Sequence, residues 1–191
     1  MNVVKIGVTG HRFLDETNKL RGGIDTALKR IDQVYLQKAW TVLSSLADGA
    51  DQLMVDCVLK FKSDTRLIVP LPMKVNEFTN NFLEEESRIK FHQLLHNAEE
   101  VIPPPLNWHQ NEGYWEAGRY IVDHCDVLIA LWDGQTAQGH GGTGDVVNMA
   151  KASKKPLVWV NCYNNNPGKR LNEISSSEQG LVTYMNFPEN A

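Results

Sequence analysis

The sequence predicts a single doubly wound α/β domain with a mainly parallel sheet. Three observations point to it. Short apolar runs alternate with segments of helical periodicity, the order of a parallel α/β sheet. The run Val127–Trp132 is apolar without interruption and stops abruptly at Asp133-Gly134, where a glycine-rich loop leads into a helix. Three of the runs end in small, glycine-bearing turns, at Thr9–Arg12, Ala47–Asp51 and Asp133–Thr143.

The elements follow in chain order. Val3–Thr9 reads as a buried strand. Leu20, Ile24, Ala27, Leu28, Ile31, Val34 and Tyr35 then recur at helical spacing and give one apolar face. Trp40–Leu46 is a second strand, and a helix opening near Gly49 carries Leu53, Met54, Cys57, Val58 and Phe61. Arg66–Leu71 is a third strand, stopped by Pro70 and Pro72 because proline cannot donate to a ladder. Residues 76–98 read as one helix with a charged Glu84-Glu85-Glu86 face. Glu100–Ile102 is a short apolar piece before Pro103-Pro104-Pro105, which must be extended. A helix covers Gly113–His124, a strand 126–132, a helix begins after Gly142, and a strand spans Pro156–Asn161. The domain is read as residues 1–163, with a loop-rich tail over 164–191 holding at most one short element.

Composition narrows the function classes. The 191 residues suffice for one core, and 42% hydrophobic with 22% charged residues is ordinary for a globular chain. A net charge of −4 argues against a surface that tracks nucleic-acid phosphates. Cys57, Cys125 and Cys162 are odd in number, lack metal or redox spacing, and read as free thiols of a reducing cytosol. No signal peptide or membrane span is legible, so a cytoplasmic location without membrane partners is expected.

In a doubly wound sheet, ligands sit outside the carboxyl ends of the strands, where strand order reverses. The residues just past three strand ends are therefore the ligand-binding candidates: Thr9, Gly10, His11 and Arg12; Ala47, Gly49, Ala50 and Asp51; and Trp132, Asp133, Gly134, Gly141, Gly142 and Thr143. Unpaired N–H groups where a helix opens at Gly141-Gly142-Thr143 suit a phosphate, and Arg12 would fork onto the same kind of group. Asp51 either caps its helix or accepts a ribose hydroxyl. Asp133 and Asp145 are the catalytic candidates, since a carboxylate beside an anomeric carbon stabilises or attacks the cation-like sugar of a breaking N-glycosidic bond. Their bland roles are an Asp-Gly turn and a favourable charge in a helix's first turn. Tyr114, Trp115, Trp108 and Trp132 are the aromatic residues available to stack on a base, with Trp132 favoured for its place at a strand mouth. Glu116 and Arg119 share a helix face and read as a surface pair. His11, His124 and His140 show no ligand spacing, and no metal is expected. No P-loop, no Gly-x-Gly-x-x-Gly after the first strand and no Gly-x-Ser-x-Gly elbow occurs, so no cofactor is expected.

Taken together, Ile6-Gly7-Val8-Thr9-Gly10-His11-Arg12, Ser44-Ser45-Leu46-Ala47-Asp48-Gly49-Ala50-Asp51, and Cys125–Gly134 with Gly139-His140-Gly141-Gly142-Thr143 resemble the SLOG superfamily. That Rossmann-like group unites the LONELY GUY phosphoribohydrolases with the DNA-processing protein A family. The resemblance spans residues 3–161. It implies a Rossmann-like fold binding a nucleotide or nucleotide-derived ligand, such as an ADP-ribose-like molecule, in a sensor. The alternative, second to the sensor, is an N-glycosidase or phosphoribohydrolase cleaving a nucleoside monophosphate, or a deoxyribosyltransferase, since nucleoside deoxyribosyltransferases resemble this chain in following an apolar strand with Asp-Gly and a Gly-Thr helix start. The SLOG resemblance also implies a homodimer. Gly141-Gly142-Thr143-Gly144-Asp145 keeps part of the LONELY GUY Pro-Gly-Gly-x-Gly-Thr-x-x-Glu pattern. Its glutamate position falls on Val146, one residue after Asp145.

Overall fold

The computed structural model describes residues 3–104, 110–137, 139–166 and 178–188. Within them lie β1 (Val3–Gly10), α1 (Asn18–Val34), β2 (Ala39–Leu43), α2 (Ala50–Phe61), β3 (Arg66–Pro70), α3 (Val75–Thr79), α4 (Glu85–His96), β4 (Glu100–Ile102), α5 (Gln110–His124), β5 (Val127–Trp132), α6 (Thr143–Ala152), β6 (Leu157–Asn161) and β7 (Val182–Met185). Pro105, Trp108 and the tail residues 167–177 and 189–191 fall outside the described residues. The strands form one sheet in the order β4-β3-β2-β1-β5-β6-β7. Every pairing is parallel except β6 with β7. This is a doubly wound, Rossmann-like α/β domain.

The chain steps outward from β1 to β4, returns to lay β5 against the other edge of β1, then continues to β6 and β7. Helices before and after the return therefore cover opposite faces. On one face Leu20, Ile24, Leu28 and Ile31 of α1 and Met54, Val55 and Val58 of α2 pack on Ile6, Val8, Ile129 and Leu131. On the other, Ile121 and Val122 of α5 and Val146 and Val147 of α6 pack on Leu128, Ala130 and Trp132. Successive β5 residues thus enter different cores, which is why that strand reads as an unbroken apolar run.

Residues 76–98 are two helices, not one. Phe78 and Phe82 are four apart and would share a face of a continuous helix. Phe91, nine residues beyond Phe82, would then point to the opposite side. Breaking the helix lets all three rings meet, with centroids 5.1, 5.5 and 5.7 Å apart, and all are buried. The Arg88 guanidinium secures the bend by donating to the carbonyls of Thr79 (3.2 Å) and Phe82 (2.6 Å). The second strand is likewise shorter than the apolar run. After Leu43, the Ser44 N–H still donates to the Ile68 carbonyl, but Leu46 turns away at φ 60°.

The segment following β6 returns to the sheet. Gly180 donates to the Asn161 carbonyl, and β7 pairs antiparallel with β6, from Leu157 opposite Met185 to Val160 opposite Val182. This turn crosses α1 at a point where neither side has room for a side chain. A Cβ on Gly23 would lie 2.2 Å from the Gly180 carbonyl oxygen, and one on Gly180, at φ +83°, would lie 2.1 Å from that of Lys19. Among the described residues, no helix is long and apolar enough to cross a membrane.

Adjacent glycines of α1 are consequently predicted to behave oppositely. Gly23→Ala should cost about 1–3 kcal/mol of overpacking in urea unfolding. Gly22→Ala, with nothing within 4 Å of the new methyl, should stabilise by about 0.5–1 kcal/mol through helix propensity. Equal effects at the two positions would contradict the crossing.

Candidate functional site

Where β1 and β5 end, α1 and α6 depart to opposite faces and leave a crevice. It holds a cavity of about 250 Å³. Its floor is Thr9 and Gly10, and Ala117, Gly118 and Ile121 of α5 close it below. Two close approaches bring α5 this near. A Cβ on Gly7 would meet Ile121 Cγ2 at 2.7 Å, and one on Gly118 would meet Val146 Cγ2 at 2.6 Å.

The start of α6 forms one wall, through Gly141, Gly142, Thr143 and Gly144. The first-turn N–H groups of Thr143 and Gly144 have no carbonyl four residues back to pair with, so they present partial positive charge to the cavity. The preceding loop is held shut by its own contacts. Asp145 Oδ2 accepts the Gly141 N–H at 3.0 Å, and Gly141, at φ +80°, lies against the Trp115 backbone. Asp145 therefore serves the loop's shape and does not line the cavity.

His11 and Asp133 meet across the β1 and β5 ends. His11 Nε2 lies 3.0 Å from both Asp133 Oδ1 and the Asp133 backbone nitrogen. A protonated Nε2 donates to the carboxylate, whereas a bare one accepts the backbone N–H. Asp133 Oδ1 also accepts the Gln135 N–H at 3.0 Å. Burial raises the Asp133 carboxyl's pKa, but these donors outweigh it and hold the group below its ordinary value, hence ionised.

Arg12 lines the cavity while its guanidinium is already engaged. Nε donates to Asp48 Oδ1 at 2.5 Å and a terminal nitrogen to the Asn81 carbonyl. Asp51, in the first turn of α2, is buried and reaches the cavity with Ser44 Oγ donating to its Oδ2 at 3.1 Å. Burial pushes its carboxyl up to about 7, against the lowering effect of the Ser44 and Ala47 donors and with the Asp48 charge adding to the rise.

Of the residues the sequence singled out, Thr9, Gly10, His11, Arg12, Ala47, Asp51, Trp132, Asp133, Gly141, Gly142 and Thr143 converge on this cavity. Gly49, Ala50 and Gly134 do not. Gly49, at φ +84°, packs on the Arg12 carbonyl, and Ala50 donates its N–H to the His11 carbonyl at 3.0 Å, so both brace the first turn from behind. Gly134 turns the chain beside Trp159. Trp132 is nearly covered, between Trp159 (centroids 5.2 Å apart) and the Lys151 ammonium 4.9 Å over its ring, which leaves little face for a base. Tyr114 and Phe78, whose rings lie 6.1 Å apart, are the aromatic side chains that line the cavity apart from Phe13 and Trp132. Trp115 instead stacks on His140. Glu116 and Arg119 pair on the outer side of α5 and border a separate cavity of about 280 Å³ with Tyr120 and Asp123.

Ser45, Asn164 and Asn166 also line the cavity. Asn164 and Asn166 lie just past the end of β6, so the strand-end rule that picked the other three turns reaches them too. Asn164 Nδ2 lies 3.4 Å from His11 Nδ1, and the Asn165 N–H donates to the Phe13 carbonyl at 3.0 Å. Behind this contact, Gln179 receives the Tyr163 N–H and donates to the Asp15 carbonyl. Phe78 had no local signal, because it reaches the cavity only through the α3–α4 bend.

No family model matches the chain, and no curated protein matches it significantly in sequence. Among solved structures, it is similar to the crystal structure of TM1055, a structural-genomics target. The two share 15% identity with a TM-score of 0.45, over 81% of this chain and 72% of that one.

The raised Asp51 carboxyl gives a signed prediction. Its folded pKa, about 7, exceeds the unfolded value near 3.8, so the folded state binds the extra proton between them. Stability from this group is complete at low pH and is lost as pH rises through 7. Asp51→Asn should therefore match the wild type near pH 4 and exceed it at pH 8 by roughly 2–4 kcal/mol in chemical unfolding. An equal gap at both pH values would contradict the assignment.

Proposed function

We propose that the crevice binds a nucleotide or nucleotide-derived ligand, and that the protein acts as a sensor of it, as the SLOG resemblance implies. The observation that carries this reading is the convergence of the α6 start with Thr9–Arg12 on one cavity at the strand-order reversal. An anion belongs at Thr143 and Gly144, where helix N–H groups face the cavity. Tyr114 takes the place of Trp132 as the aromatic neighbour of a base. A cavity near 250 Å³ sits just below the usual range for small-molecule sites, which favours a mononucleotide within it and leaves a longer ADP-ribose-like molecule extending from its mouth.

One observation favours a second reading, cleavage of an N-glycosidic bond. Asp133 is a cavity-lining carboxylate kept ionised by His11 and Gln135, the state needed opposite a cation-like sugar. Asp145 has no comparable place, since its carboxylate is spent on Gly141.

Thermal unfolding with nucleoside monophosphates, ADP-ribose and cyclic nucleotides tests both. A true ligand at about 100 times its dissociation constant should stabilise by roughly 2.7 kcal/mol. The sensor reading expects the ligand to be recovered intact. Release of free base that stops in Asp133→Asn would establish the glycosidase instead. Absence of stabilisation by every compound would defeat the crevice reading.

A further inference from the structure

The cavity has two chemically different ends. At the β5–α6 side, backbone N–H groups of the α6 start face inward and suit an anion. At the β2–α2 side the inward group is Asp51, a hydrogen-bond acceptor. Among the described residues no cation pairs with it; its partners are the Ser44 hydroxyl and the Ala47 N–H. Two partners leave lone pairs on the carboxylate oxygens unfilled. Arg12, which lines the same cavity, is turned to Asp48 and Asn81. A buried carboxylate without a counter-ion gains from each further donor that reaches it. Asp51 is not the residue that opens α2, since Gly49 holds that place, and its two bonds to the β2–α2 turn leave acceptor capacity on the cavity side.

The two ends lie on opposite sides of β1. β2 and β5 flank β1, so their ends stand two strand spacings apart, roughly 10 Å. A ligand held at both ends spans β1 from its anion to its hydrogen-bond donor, as a 5′-phosphorylated ribose does from phosphate to ring hydroxyl. The exocyclic amine of a base lies farther from the phosphate than this.

We propose that Asp51 accepts a hydrogen bond from a ribose hydroxyl of the ligand, which makes the site selective for ribonucleotides over deoxyribonucleotides. This assignment rests on the nucleotide reading of the crevice. Asp51 is then a specificity-determining residue, and the phosphate at α6 and the hydroxyl at Asp51 fix the ligand across the end of β1.

Isothermal titration of the full chain with AMP, 2′-deoxy-AMP, 3′-deoxy-AMP, IMP and ribose 5-phosphate tests it. The wild type should bind AMP about tenfold or more tightly than at least one deoxy analogue, since a hydrogen bond is lost and a buried acceptor is left unfilled. IMP, which lacks the amine, should bind as AMP does. In Asp51→Ala the preference for the hydroxyl should disappear, and in Asp51→Asn, which keeps the side chain's shape, it should shrink. Equal binding of AMP and both deoxy analogues by the wild type would overturn the proposal, as would a preference that survives undiminished in both variants. Discrimination against IMP alone would overturn it by making the base amine the partner of Asp51. Failure of the wild type to bind any of the five would overturn this assignment, and silence across the thermal-unfolding panel as well would overturn the crevice reading itself.

Discussion

β1 and β5 lie side by side in parallel register, from Ile6 opposite Val127 to Gly10 opposite Leu131. The chain reaches β5 only after laying down β2, β3 and β4 on the other edge of β1. That return obliges α1 and α6 to leave toward opposite faces, and the crevice is the space they vacate. Its contents follow from the same pairing. Thr9 and Gly10 form its floor because they end β1, Asp133 and His11 meet because they are the next residues of adjacent strands, and the α6 start points inward because α6 follows β5. A change that slipped the β1–β5 register by one residue would exchange the two cores and empty the site of its polar groups together.

Most of this was legible because parallel strands and strand-end turns leave local marks. Val127–Trp132 could be read as a strand from its unbroken apolarity and abrupt end, and the crevice rule then nominated the three turns. What was not legible depended on contacts distant in sequence. The break between α3 and α4 is invisible to periodicity, because it is decided by the meeting of Phe78, Phe82 and Phe91. Trp132 looked available for stacking because nothing local announces Trp159 and Lys151 on its faces. Gly49 and Ala50 carry the right residue types for a ligand cradle, yet they brace the Arg12 turn through backbone approach. β7 is short, and its place against β6 depends on the α1 crossing rather than on its own apolarity.

The polar groups of the crevice are largely bound to one another. Asp48 holds Arg12, Gln135 and His11 hold Asp133, and Gly141 holds Asp145. Such cross-bonding fixes side chains before any ligand arrives, so ordering entropy is already spent in folding. It also sets charge signs apart. The backbone donors at α6 favour an anion on one side, while the ionised Asp133 repels it from the wall beside His11.

The loop after β6 is stitched to the first turn through Asn164 and His11, Asn165 and Phe13, and Gln179 and Asp15. The cavity's roof and the sheet's antiparallel margin are thus moored to the same stretch of chain, between His11 and Gly23, and Gln179 beside Gly180 is the knot common to both.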